Sequence, residues 1–367
     1  LSPSAWNRFE ACPRQYWLSR QRLPRKTGMA ASLGTAVHAS IEDLVQLDLS
    51  GKQSAESGWL PEIAEKFLRT RWEEEKLEFQ NTPRRPDWKE ADYSKAQQQQ
   101  LGAITLLLDR VGVPNLSAAM VTVALWRRVL LMVLKAEGEL KTSDGKLMGR
   151  LDLLLAEHDE NGQITKWIVA DLKTGKTPEG ELYETVRRQL LLYRDILASV
   201  NPNHPPIMAE GWYTNGSKVF IAEGPSVLQQ AYAAWEATQL TDEPFEPKPG
   251  TDSCGGFCDY KAWCPHWWNW RLETGTLHKG DFVDSVVLIH NLDHNTGDAE
   301  LELCEPADEN GTVLPSGRGV AAVFKGRGLV NILNHISKGH KGAYFIGGAL
   351  TKGKWTVGSW CDVLPWD

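Results

Sequence analysis

No run of apolar residues in this sequence reaches the roughly 20 positions that a bilayer crossing needs, and no secretory core opens it. A membrane partner is therefore not expected, and a cytoplasmic protein is. The chain opens on Leu1 rather than Met, as a trimmed or processed form would. No internal repeat is visible. There is no G-x4-G-K-[ST] motif, so any duplex unwinding has to come from a helicase or other processing protein as partner. Cysteines number only six in 367 residues, far too few for a disulfide scaffold. With 42% hydrophobic and 24% charged residues, disordered, collagen-like and coiled-coil classes are excluded. The length points to one large domain with a smaller one, or to two of comparable size.

The formal net charge of -7 argues against a polyanionic partner until its distribution is considered. Between Leu1 and Ala30, Arg8, Arg14, Arg20, Arg22, Arg25 and Lys26 face Glu10 alone, a local balance of +5. A basic opening segment on an acidic chain suits an enzyme that holds metal with carboxylates over a phosphate backbone.

Periodicity divides the chain. Ser2-Pro3 starts a helix that Pro13 should divide, and a second helix is predicted from about Thr35 to Leu49, with His38 at its start. Mostly helical sequence follows to Arg128. Near Val133 the period changes to that of strands: Val133–Leu140, Lys146–Ala156 and Lys166–Lys173. A helix over Glu181–Ser199, two strands (Ile207–Thr214 and Lys218–Glu223) and a helix over Pro225–Gln239 complete the first part. The expected fold is α/β, a mixed sheet flanked by helices, followed by a small all-β barrel.

Within the second strand, G-R-L-D-L-L-L carries Asp152 among leucines, where a carboxylate needs a partner or a metal. The third strand ends in Asp171-Leu172-Lys173, and residues two apart share a face. Two strand-end carboxylates beside a lysine suit phosphodiester hydrolysis: the acids hold Mg²⁺ or Mn²⁺, and the lysine orients water or steadies charge. A buried aspartate paired to a strand-end lysine is the simpler alternative for these residues. Gln189 and Tyr193 then lie four apart, on one face of the next helix.

The order His38, Asp152, Asp171-x-Lys173, Gln189-x3-Tyr193 resembles the PD-(D/E)xK nucleases of the RecB-like branch. The opening S-P-S-A-W-N-R-F-E-A-C-P-R-Q-Y-W-L and G-T-A-V-H are similar to that branch as well, over roughly Leu1 to Trp270. The resemblance implies a restriction-endonuclease-like core in which His38, Asp152, Asp171 and the main-chain carbonyl of Leu172 ligate the metal. Lys173 would be catalytic, and Gln189 and Tyr193 would contact DNA, with Arg14 in the basic segment. It implies an exonuclease on single-stranded DNA or DNA ends, in repair, recombination, or phage or CRISPR DNA processing. A scaffold that binds nucleic acid without cutting it is the competing expectation.

Cys254, Cys258 and Cys264 form C-x3-C-x5-C, a spacing that reads as metal ligation. One subset of the same branch, which includes CRISPR-associated adaptation nucleases and the AddB nuclease domain, has one cysteine before the core and three after it. Cys12 matches that position, and the resemblance implies a 4Fe–4S cluster with a mainly structural task. Zinc is the alternative, with His266 completing a Cys3His site. Trp263, Trp267, Trp268 and Trp270 crowd around Cys264 and would shield the metal centre, whereas Cys304 and Cys361 read as packing residues in strands.

The boundary is placed at 274/275. Beyond it, strand-like runs at Ser285–His290, Ala299–Cys304, Gly319–Phe324, Ala343–Gly348 and Lys354–Cys361, with one helix over Leu329–Ser337, resemble an OB-fold. Eight basic residues from Lys279 onward stand against eleven acidic ones, so a strongly positive groove is not implied. Lys325, Arg327, Tyr344, Phe345 and Trp355 are the candidates for a local strand-binding face. A protein-docking or purely stabilising barrel fits the same pattern.

Overall fold

The computed structural model describes residues 1–255 and 258–366. The chain forms two compact units. One comprises Leu1–Asn7, Met29–Asn81 and Lys89–Gln239, the other Arg8–Gly28, Thr82–Trp88 and Leu240–Asp367.

In chain order the helices are α1 (Pro3–Ala11), α2 (Pro13–Ser19), α3 (Met29–Val45), α4 (Leu60–Asn81), α5 (Tyr93–Arg110) and α6 (Val123–Met132). Pro13 does divide the opening helix. Cys12 between the two halves is extended at φ -163°, and Pro13 takes the first helical position of α2, where its missing N–H costs nothing. α3 begins six residues earlier than the stripe of Val37, Ile41 and Leu44 indicates and ends at Val45, so His38 sits mid-helix. Met29 and Leu33 extend the buried stripe of Val37 and Ile41 back into the first turns, where the small residues Ala30, Ala31 and Ser32 surround them.

The first unit's sheet follows the order β1 (Val133–Lys141), β2 (Met148–His158), β3 (Ile164–Lys173), β4 (Ile207–Tyr213) and β5 (Lys218–Ile221). All neighbours are antiparallel except β3 and β4, whose parallel pairing needs the crossover helix α7 (Glu184–Val200). β3 is buried on both faces. Ile168, Ala170 and Leu172 pack with Ile41 and Leu44 of α3, Leu107 of α5 and Trp126 of α6. Val169 faces Leu190, Leu191 and Ile196 of α7 together with Ala231 and Ala234 of α8 (Leu228–Ala237). A sheet covered on both faces fixes β2 and β3 firmly, and they carry Asp152, in the middle of β2 rather than at a strand end, and Asp171, near the end of β3.

The second unit holds α9 (His266–Glu273) and a six-stranded sheet: β6 (Phe282–Leu292), β7 (Asp298–Pro306), β8 (Val313–Phe324), β9 (Tyr344–Leu350), β10 (Trp355–Val357) and β11 (Asp362–Pro365). Its order is β10-β8-β7-β6-β9-β11, and β10 also pairs with β9. Five strands therefore close a ring, β6-β7-β8-β10-β9, in which only β8 and β10 run parallel. The barrel-like region has α10 (Arg327–Ser337) between β8 and β9. The strand predicted over Lys354–Cys361 is shorter, Trp355–Val357, and the next strand begins beyond it at Asp362. The chain turns at Gly358, whose carbonyl accepts the Cys361 N–H at 3.0 Å, so Cys361 lies in the turn, whereas Cys304 is a strand residue of β7.

Candidate active site and cysteine cavity

The register between β2 and β3 pairs Leu153 with Ala170, which brings Asp152 alongside Asp171 where that pairing ends. One oxygen of Asp152 accepts the main-chain N–H of Leu172 at 2.6 Å, and the other meets His38 Nδ1 of α3 at 3.2 Å. Leu172 thus fixes the Asp152 carboxylate through its backbone.

Asp171 is buried. Gln189 Nε2 donates to one of its oxygens at 2.8 Å, and the Lys173 ammonium lies 2.5 Å from the other, without hydrogen-bond geometry. Lys173 also donates to Gln189 Oε1 at 3.0 Å, and Gln189 Nε2 reaches the Tyr193 hydroxyl at 3.1 Å. The i, i+2 face of β3 and the i, i+4 face of α7 therefore meet in one network, as their spacing requires. Tyr193 packs against the backbone of β2. A Cβ at Gly149 would lie 2.2 Å from the tyrosine ring, so only glycine admits Tyr193 at this depth.

Glu137 of β1 was not singled out by any motif. It pairs with Arg150, and together with His38 and Asp152 it forms a group whose potential ligand atoms all lie within 4.8 Å of one another. Glu137 takes φ +48°, unusual for a residue with a side chain, just after a register shift in the β1–β2 ladder. That irregularity turns its carboxylate toward Asp152. The E-G-E run in β1 was the available signal, but alternation alone does not locate a bulge.

So many acids in one place perturb each other. Burial, then the Asp152 charge, pushes the Asp171 carboxyl up to about 6, with Lys173 and His38 pulling the other way. Burial opposes charge on His38, yet Asp152, Asp171 and Glu137 together raise its pKa. Glu137 is likewise raised, by burial and by Asp152, against Arg150 and His38. The site concentrates anionic groups that the fold alone neutralises poorly. A divalent cation with hard oxygen and imidazole donors suits that deficit.

In the second unit, Cys12, Cys254, Cys258 and Cys264 line one cavity with Gln15 and Trp267. The Lys248 N–H reaches Cys12 Sγ at 3.4 Å, and the N–H groups of Tyr260 and His266 bond to Cys258 and Cys264. Burial and the neighbouring sulfurs push Cys258 up to about 12 and Cys264 up to about 11. A bound metal would reverse that, and N–H bonds aimed at sulfur favour the thiolate it needs. Arg14 lies in this region, its Nη2 3.3 Å from His266 Nε2. Lys325 is exposed and Arg327 half-buried, flanking the turn from β8 into α10, whereas Tyr344, Phe345 and Trp355 are buried in the second unit's core and offer no face to a strand.

Among the described residues no helix is long and apolar enough to cross a membrane. Comparison with known proteins agrees with the geometry of the first unit. A family model described as the PD-(D/E)XK nuclease superfamily matches residues 1–265. The comparison with curated proteins gave no match.

Proposed function

The chain belongs to the PD-(D/E)XK nuclease superfamily, and from that premise we propose a deoxyribonuclease of the RecB-like, iron–sulfur branch. Membership implies a metal-dependent nuclease. The finer reading is an exonuclease on single-stranded DNA or DNA ends, working in the cytoplasm in repair, recombination, or phage or CRISPR processing, alongside a helicase or similar partner. The observation that carries it is the hydrogen-bonded group Asp171, Lys173, Gln189 and Tyr193, set beside Asp152 and His38.

His38, Asp152, Asp171 and Glu137 have the donors to hold Mg²⁺ or Mn²⁺, with the Leu172 carbonyl as a further oxygen. The cation would supply Lewis acidity toward the phosphodiester and acidify bound water. Lys173 orients the attacking water or balances charge on the phosphate, and Gln189 holds its ammonium in place. Tyr193 and Gln189 present a hydroxyl and an amide to the strand. Arg150, exposed and paired with Glu137, is a further cation at this edge.

For the cysteines the reading is a 4Fe–4S cluster. His266, the alternative zinc ligand, already has its Nε2 on Arg14, and Cys12 supplies the fourth thiol instead. Four thiols lining one cavity match the four cysteine ligands of such a cluster. Residues 1–274 would then carry catalysis and cluster, and 275–367 an OB-like module. The ring β6-β7-β8-β10-β9, with its helix before β9, supports that name.

End-labelled linear and circular single-stranded DNA, digested with Mn²⁺, tests the mode. Cleavage of the linear strand alone, absent in Asp152→Asn, is the expected result. Cutting of the circle would make the protein an endonuclease. No cleavage by folded, iron-loaded protein would favour a scaffold.

A further inference from the structure

Strand β8 passes into α10 through Lys325 and Gly326. Gly326 sits at φ 54° and ψ -128°, and a Cβ there would lie 2.3 Å from Ser359 Oγ. Glycine at this turn lets Ser359 accept the Arg327 N–H at 3.0 Å. Arg327 Nε in turn donates to the main-chain carbonyl of Arg85 at 3.1 Å. The residue is thus held at its backbone and at the base of its guanidinium. Among the described residues no hydrogen bond or ion pair engages its two terminal nitrogens. They form a fork fixed in place, with its donors toward solvent.

Arg85 stands next to it, close enough for the two like charges to be felt, with Asp87 as the nearby carboxylate. Lys325 is exposed two residues away. Arg85 and the exposed Lys325 beside a restrained guanidinium make a place for an anion on a chain whose net charge is -7. A planar fork matches two oxygens of one phosphate, and fixing it beforehand lessens the entropy lost on binding.

We propose that Arg327, flanked by Arg85 and Lys325, is a phosphate-binding fork for the backbone of a nucleic-acid strand. It is built from residues that the carboxylate site does not use. It rests on the nuclease reading only in naming nucleic acid as its ligand.

The test is fluorescence anisotropy of a labelled oligothymidylate with the full chain, in EDTA so that no strand is cut, over a range of salt. Arg327→Ala should weaken binding about tenfold and lower the slope of log affinity against log salt by about 0.7. Arg327→Lys keeps the charge and the fold but not the fork, and should restore the slope with only part of the affinity. Wild-type affinity and slope in an Arg85→Ala/Arg327→Ala double variant would overturn the proposal. So would failure of the wild type to bind the strand. Titration with inorganic phosphate separates the sources: phosphate binding lost in Arg327→Ala, with strand binding unchanged, would place a free anion there instead. Cleavage by the same proteins separates the two readings. A strand held through the fork but never cut with Mn²⁺ would retain the fork and remove the nuclease.

Discussion

At the scale of residues, Asp171 and His38 both hold a proton more tightly in the fold, the first to stay neutral and the second to stay charged. The Asp171 carboxyl, raised by burial and by Asp152 from an ordinary 3.8 to about 6, keeps its proton in the fold where the unfolded chain has lost it. Its contribution to stability therefore falls as pH rises through that window. His38 is raised above 6.5, the net effect of Asp152, Asp171 and Glu137 overcoming burial. The stability it contributes is full below 6.5 and lost as pH passes the raised value. In EDTA, Asp171→Asn should melt higher than wild type at pH 7, and the difference should vanish near pH 4. An equal difference at both pH values would contradict the assignment. Divalent metal needs these ligands deprotonated, so Mn²⁺ should raise the wild-type melting temperature more at pH 8 than at pH 5.5. Glu137→Gln should reduce that shift if its carboxylate is a ligand. An undiminished shift would leave Glu137 as a partner of Arg150 only.

At the scale of elements, the site is the meeting of β2, β3, α3 and α7, and the contact of β2 with α7 tolerates no added volume. Gly149→Ala would drive a methyl group into the Tyr193 ring and tilt α7 away from β2. A cost of about 1–3 kcal/mol is expected, with a fall in cleavage as Gln189 leaves Asp171. Chemical denaturation and a rate measurement on the same protein check both; an unchanged rate would mean that Tyr193 does not position Gln189. Much of this was legible beforehand. Asp171 and Lys173 share a face because strands alternate, and Gln189 and Tyr193 do because helices repeat every 3.6 residues. Local periodicity carries such information without reference to the rest of the chain. Glu137 was not legible, because its direction depends on a register shift against β2. The start of α3 was legible in principle, since Met29 and Leu33 continue the stripe of Val37 and Ile41 at four-residue spacing.

At the scale of the whole molecule, one half of the account concerns a cluster and the other a hydrolytic site. Cys12 comes from the opening segment and its three companions from residues 254–264, so a shared metal closes a loop of more than two hundred residues. Protein purified without oxygen should carry about four irons, and Cys12→Ser should lose iron and melt at a lower temperature. One zinc per chain, retained in Cys12→Ser, would contradict the cluster. The cysteine spacing suggests metal, and the structure adds that Cys12 shares the cavity of Cys254, Cys258 and Cys264. The most direct measurement is of cleavage. Single-turnover digestion of labelled single-stranded DNA with Mn²⁺ compares wild type with Lys173→Ala, both verified as folded and iron-loaded. The account expects the variant to be slower by at least about a hundredfold with strand binding retained. Cleavage by Lys173→Ala at the wild-type rate would contradict it.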